Sequence, residues 1–104
     1  MKLDISKLRC VSQVALLGSI TPNLRAVIIA FDNESIRLFF YYNNAPSEEE
    51  EELAEEVASE IISDCTEYMI ETEKITVAYP QKIPEKKDGV YVYFRHEDSD
   101  TLTD

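Results

Sequence analysis

The spacing of apolar residues predicts two helices, one near the start of the chain and one at its centre. The first runs from Asp4 to Leu17 and ends at Gly18, a residue type common just after helices. Its apolar side consists of Leu8, Val11, Val14, Ala15 and Leu17. The second follows Ser47, an N-cap residue, and Glu50 three positions later completes a capping box. Its apolar residues form one stripe: Leu53, Ala54, Val57, Ala58, Ile61, Ile62 and Cys65.

Runs of β-branched and aromatic residues predict four strands. They are Leu24–Phe31, Ser35–Tyr42, about Lys74–Tyr79, and Val90–Arg95. The short connection between the first two favours an antiparallel hairpin. The order αββαββ indicates an α+β fold, with a four-stranded, mainly antiparallel sheet packed with two helices. We expect residues 1–95 to form a single domain and residues 96–104 to form an acidic, flexible tail.

Alternation along the strands divides the side chains of the sheet between two faces. One face is apolar and consists of Ile36, Leu38, Phe40, Val90, Val92 and Phe94. The other mixes aromatic residues with arginines: Arg37, Phe39, Tyr41, Tyr91, Tyr93 and Arg95. Two explanations of the second face remain open. Either one helix covers it, or it is partly exposed and belongs to an interface, where tyrosine and arginine are enriched.

The outer side of the second helix is strongly acidic. Between Asn43 and Glu73 the chain has twelve acidic residues and no basic one, and its formal net charge is −11. Like charges four residues apart, such as Glu52 and Glu56, repel by roughly 0.2–0.5 kcal/mol. The side is either an ordinary solvated face or a surface that is acidic because its partner is basic. The net charge argues against direct nucleic-acid binding and against binding to anionic membranes.

The sequence contains little that supports catalysis or metal binding. His96 is the single histidine, so a histidine-based triad or a multi-histidine metal site is not available. Gly18 and Gly89 are the only glycines, which excludes a Walker A loop and a Rossmann fingerprint. Cys10 and Cys65 lack metal-ligand spacing, and we interpret them as reduced apolar fillers, with a disulfide as the alternative. We expect no enzymatic activity, no cofactor and no metal.

The amino terminus carries no targeting or membrane signal. Its first residues are interrupted by charges and lack the apolar core of a signal peptide. No apolar run approaches the ~18 residues that a membrane span requires. We therefore expect a cytoplasmic protein.

Most of the chain resembles a class of small bacterial proteins. The matching features are the turn-to-strand segment Thr21–Val27, the aromatic strand Phe39–Tyr42, the helix start Pro46–Ser47 with its glutamates, and Ala78–Pro80. Together they span about residues 16–95 and resemble immunity proteins of the contact-dependent growth inhibition type, which are encoded beside polymorphic toxins. The resemblance implies a cytoplasmic protein that binds and neutralises the toxin domain of its own system. Such toxins are often nucleases with basic clefts.

The resemblance and the charge together favour a stoichiometric inhibitor that covers a basic toxin nuclease, such as a ribonuclease, with an acidic surface. The candidate contact residues are Glu49, Glu52, Glu56 and Glu60, with Tyr41, Tyr91 and Tyr93 as aromatic anchors. The basic loop that contains Lys82, Lys86 and Lys87 departs from this acidic surface. An acidic interaction or regulatory adaptor without a toxin partner is the alternative, and homo-oligomerisation is also open.

Overall fold

The computed structural model describes residues 5–32, 34–84 and 89–95. It contains two helices and four strands: α1 (Ile5–Leu16), β1 (Leu24–Phe31), β2 (Ser35–Tyr42), α2 (Glu48–Asp64), β3 (Met69–Thr76) and β4 (Gly89–Phe94). The predicted α+β class and the order αββαββ are confirmed. The predicted tail, with His96, and the lysines Lys86 and Lys87 lie outside the described residues.

Helix α2 begins and packs as its sequence predicts. The Ser47 hydroxyl accepts a hydrogen bond from the Glu50 backbone N–H at 3.1 Å, and the Glu50 carboxylate accepts one from the Ser47 N–H at 2.9 Å. This capping box satisfies two backbone donors that a helix start leaves unpaired. The buried stripe of α2 consists of Ala54, Val57, Ala58 and Ile61. The acidic residues of α2 other than Glu50 are exposed.

Helix α1 packs through a different side from the predicted one. Gly18 ends it in the left-handed conformation, with φ of 81°, as expected. However, Val14 and Leu17 are 60% and 76% exposed, so their predicted place in the core is wrong. The buried side is formed by Leu8, Ser12, Ala15 and Leu16. Ser12 can be buried because its hydroxyl donates to the Leu8 carbonyl at 2.7 Å, which satisfies this polar group.

The sheet is mixed, which corrects the predicted mainly antiparallel arrangement. Its strand order is β3-β2-β1-β4, and β1 lies antiparallel to both β2 and β4. Strands β2 and β3 are parallel, from Ser35 opposite Met69 to Tyr42 opposite Thr76. The cause is α2, whose 17 residues span about 25 Å, close to the length of an eight-residue strand. The helix thus returns the chain to the end of the sheet at which β2 starts.

Strand β3 also starts five residues earlier than predicted, at Met69 rather than Lys74. Glu71 and Glu73 lie within it, and these charges obscured the strand pattern in the sequence. Both glutamates are exposed. Charged residues are tolerated there because β3 is an edge strand, and edge strands often carry charges.

Both helices pack on one face of the sheet. That core joins residues from the two helices with residues of the strands, including Val27, Ile29, Ile36, Leu38 and Phe40. The opposite face is built from Ala26, Ile28, Phe39 and Tyr41, with Ile83 packed on it. Of the two explanations that the sequence left open for this second face, cover by a helix is therefore wrong. The segment Val77–Pro84, on its way from β3 to β4, covers part of it instead.

A buried arginine fixes that connecting segment. Arg25 is 2% exposed, and its Nη1 donates to the Val77 carbonyl at 2.6 Å. Its guanidinium carbon lies 5.6 Å from the centroid of the Tyr79 ring, within the range of a cation–π interaction. A charge-assisted hydrogen bond and an aromatic contact thus hold the segment to β1.

A bulge in β4 changes which faces its aromatic residues occupy. Val27 pairs with Tyr93 and Ile28 pairs with Tyr91, so one extra residue stands in β4. Tyr93 packs with the core on the helix side, whereas Tyr91 packs on the opposite face. Phe94 contacts Tyr91 edge to face, with centroids 5.1 Å apart. The predicted placement of Tyr91 and Tyr93 on one face, with Phe94 on the other, is therefore wrong.

Candidate functional site

An acidic groove lies between α2 and β3. It has a volume of about 390 Å³ and is open to solvent. We define the acidic groove by its lining residues: Glu48, Glu51, Glu52, Glu55, Glu56 and Lys74. Helical spacing of three and four residues brings the five glutamates to one side of α2. The groove therefore presents several carboxylates in a row along the edge of the sheet.

One carboxylate of the acidic groove is neutralised by a neighbouring base. Lys74 Nζ lies 2.5 Å from Glu55 Oε2, and the Thr72 hydroxyl donates to the same oxygen at 2.8 Å. These hydrogen bonds, that of Lys74 first, hold the pKa of Glu55 below its usual value. Among the residues that the structure describes, Glu55 is the only groove glutamate with a basic partner. The other four leave the groove with a net negative charge.

The four glutamates that the sequence predicted as contacts divide into two pairs. Glu52 and Glu56 line the acidic groove, whereas Glu49 and Glu60 are exposed on α2 but do not line it. The prediction missed three further glutamates and the lysine of the groove. The helical spacing of Glu48, Glu51 and Glu55 could have identified the glutamates. Nothing in the local sequence around Lys74 indicates that the sheet places it beside α2.

The three predicted aromatic anchors do not form a surface cluster with the groove. Tyr41 is 0% exposed and cannot contact a partner in this conformation, which corrects its predicted role. Burial, with nearby Tyr91 and Glu73, raises the pKa of its hydroxyl. Tyr93 is half-buried against the helix-side core, and Tyr91 is half-buried on the opposite face. Both belong to β4, at the edge of the sheet opposite the acidic groove.

Glu50 has a structural role that separates it from the groove. Its carboxylate accepts hydrogen bonds from the Thr21 hydroxyl, from Asn23 Nδ2 at 3.1 Å and from the Ser47 N–H at 2.9 Å. Burial acts to raise the pKa of Glu50, but these hydrogen bonds together hold it below its usual value. Glu50 thereby connects the start of α2 to the turn before β1.

Both cysteines are free, one at the surface and one in the core. Neither Cys10 nor Cys65 is in a disulfide; Cys65 is buried as predicted, but Cys10 is exposed and is not an apolar filler. Within residues 5–32, 34–84 and 89–95, no three His, Cys, Asp or Glu side chains are grouped to hold a metal ion. No helix in the same ranges is long and apolar enough to cross a membrane. What the acidic groove can do is bind cationic groups.

Comparison with known proteins identifies a family rather than an individual relative. The family model described as MafI2 immunity protein matches residues 5–97, most of the chain. A search of curated proteins gave no match. The family match confirms the predicted resemblance at the level of an immunity protein. It does not extend to the contact-dependent growth inhibition type that the sequence suggested.

Proposed function

Because the chain belongs to the MafI2 immunity protein family, we propose that it neutralises a cognate toxin by placing the acidic groove on a basic surface of that toxin. Membership of an immunity protein family implies a cognate toxin partner. The observation that carries the choice of surface is the groove itself, with four glutamates that have no basic partner among the described residues. Binding alone accounts for inhibition, so no catalytic step is required.

The charge of the chain supports a nuclease as the toxin. A nuclease binds phosphates with lysine and arginine, so its substrate cleft is basic. Carboxylates of the acidic groove would pair with the same side chains and exclude the nucleic acid. The net charge of −11 would also steer the toxin toward the protein and accelerate association at low salt. We propose that this takes place in the cytoplasm, where a toxin nuclease meets its substrate.

Co-expression with the toxic domain encoded immediately upstream tests the proposal. We expect the wild-type chain to restore growth and to co-purify with that domain. Absence of both effects would favour the alternative of an acidic adaptor without a toxin partner. The growth and co-purification of the wild-type chain are also the reference against which variants of the acidic groove are compared.

A matched pair of charge reversals tests the choice of surface. Glu52→Lys with Glu56→Lys alters the acidic groove, and Glu49→Lys with Glu60→Lys makes the same change in net charge on α2 outside it. We expect the first pair to weaken protection and co-purification much more than the second. Equal effects would show that net charge, rather than the groove, determines binding. If neither pair changed binding, α2 would not be in the interface.

A further inference from the structure

We propose that the outer edge of β3 accepts a β-strand of the toxin, which extends the sheet and places basic side chains on both sides of that edge. The inference rests on the proposed function and adds to it a binding mode. Addition of a strand to a sheet edge is a recurring form of recognition, in which backbone hydrogen bonds give affinity and side chains give specificity. Within the described residues, strand β3 offers both unpaired backbone groups along its outer edge and acidic side chains beside it.

The backbone of β3 provides regularly spaced hydrogen-bonding groups. All eight of its residues pair with β2 in one continuous register, and the order of the sheet places β3 at its edge. The Met69 N–H donates to Glu34 and the Val77 N–H donates to Tyr42, both at 2.8 Å. Because alternate residues of a strand direct their backbone groups to opposite sides, the even-numbered residues direct theirs away from β2. These residues are Ile70, Thr72, Lys74 and Thr76.

No described residue pairs with this outer edge, since β3 ends the sheet. Strand β4 ends it on the other side but is a poorer site for an added strand. It has six residues rather than eight, and a bulge at Tyr91–Tyr93 interrupts its ladder. A bulge locally disrupts pairing and twists the strand. The longer and regular β3 is therefore the edge that an incoming strand can follow over its whole length.

Acidic side chains flank the outer edge of β3 on both faces of the sheet. On the helix side, Thr72 and Lys74 contact Glu55, and the acidic groove lies beside them. On the opposite face, Glu71 and Glu73 are exposed. Arg37 Nε lies 3.9 Å from Glu71 Oε1, and water screens this pair strongly because the two side chains are 58% and 69% exposed, respectively. An added strand thus meets negative charge on both sides.

This arrangement selects a basic strand and opposes a second copy of the same chain. Side chains of a strand alternate between the two faces, so lysines or arginines at successive positions would reach both sets of carboxylates. Two copies joined through β3 would bring together their acidic grooves on one face and Glu71 and Glu73 on the other. Like charges opposite each other destabilise strand pairing. Acidic residues on an edge also prevent unintended association. The occupant that fits is a basic strand of the toxin.

Amide hydrogen exchange in the complex with the upstream toxin domain tests the inference directly. In the free protein, we expect the amides of Glu71, Glu73 and Ile75 to be protected by β2 and the four even-numbered amides to exchange rapidly. Complex formation should slow exchange at the even-numbered positions by at least about tenfold and leave the odd-numbered ones little changed. A complex that forms without protecting the even-numbered amides would overturn the inference while leaving the proposed function intact.

A proline substitution gives an independent test through affinity. Thr72→Pro removes an outward N–H without breaking the ladder to β2, because proline is tolerated on the solvent side of an edge strand. Thr72→Val removes the same hydroxyl and keeps the N–H, so it is the matched control. We expect Kd for the toxin domain to rise at least about tenfold for the proline variant relative to the valine variant. Thr76→Pro and Thr76→Val repeat the comparison if Thr72→Pro does not fold, as judged by circular dichroism.

The possible results separate the two proposals. Equal affinities of folded proline and valine variants would overturn strand addition but not the role of the acidic groove. A dimer of the isolated chain that Thr72→Pro dissociates would assign the edge to a second copy and overturn the inference. Failure of the wild-type chain to bind the toxin domain would overturn the proposed function, and strand addition with it.

Discussion

Replacing Glu50 with alanine should destabilise the fold more than replacing any exposed glutamate of α2. The change removes the acceptor of three hydrogen bonds, from Thr21, Asn23 and Ser47. A hydrogen bond contributes about 1 kcal/mol net, and more when one partner is charged. Because Glu50 is half-buried, water replaces part of what is lost. We therefore expect the free energy of unfolding to fall by about 2–3 kcal/mol.

Urea unfolding followed by circular dichroism measures this loss, and thermal unfolding provides a second estimate. In a domain of this size, 1 kcal/mol corresponds to roughly 4–8 °C, so the midpoint should fall by roughly 10–20 °C. Glu49→Ala is the control, since Glu49 is an exposed glutamate of the same turn. An exposed substitution typically changes stability by less than about 0.5 kcal/mol. If the two variants were equally stable to within that range, the structural role of Glu50 would be refuted.

Three further predictions concern buried or hydrogen-bonded groups. Since the folded-state pKa of Glu50 lies below its usual value of 4.5, its stabilisation should be present above that pH and be lost as the pH falls through the folded-state pKa. Acid titration of stability should therefore be less steep in Glu50→Ala than in wild type. Tyr41→Phe should leave the free energy of unfolding in urea unchanged or raise it by up to about 1 kcal/mol, because the buried hydroxyl has no hydrogen-bond partner among the described residues. A clear decrease in that free energy would contradict this prediction. Arg25→Met should lower the free energy of unfolding by about 2–3 kcal/mol, because it removes the hydrogen bond to the Val77 carbonyl. It should also increase proteolysis within residues 77–84, and unchanged proteolysis would contradict this prediction.

Local sequence signals were sufficient for most elements of the fold. The capping box at Ser47 and Glu50, the apolar stripe of α2 and the left-handed Gly18 each depend on residues close together in the chain. The strands β1 and β2 were predicted with their observed bounds because β-branched and aromatic residues are frequent in both. Interactions within a few residues are therefore what the sequence specifies most clearly here.

The errors concern properties that long-range packing decides. The parallel pairing of β2 with β3 follows from the path of α2 across the sheet, which no strand pattern encodes. The bulge in β4 reverses the face of Tyr93, and simple alternation cannot anticipate an extra residue. For the same reason the acidic groove was predicted only in part. Its glutamates share a helix, but Lys74 reaches them through the sheet.

The most direct test of the account is the association rate of the protein with its purified toxin domain, measured by stopped flow as a function of salt. If the acidic groove binds a basic surface, the rate should be high at low salt and fall steeply as salt screens the charges. Glu52→Lys with Glu56→Lys should lower the rate and reduce its salt dependence, whereas Glu49→Lys with Glu60→Lys should have a smaller effect. A wild-type rate that does not change with salt, or that the groove variant leaves unchanged, would contradict the central claim.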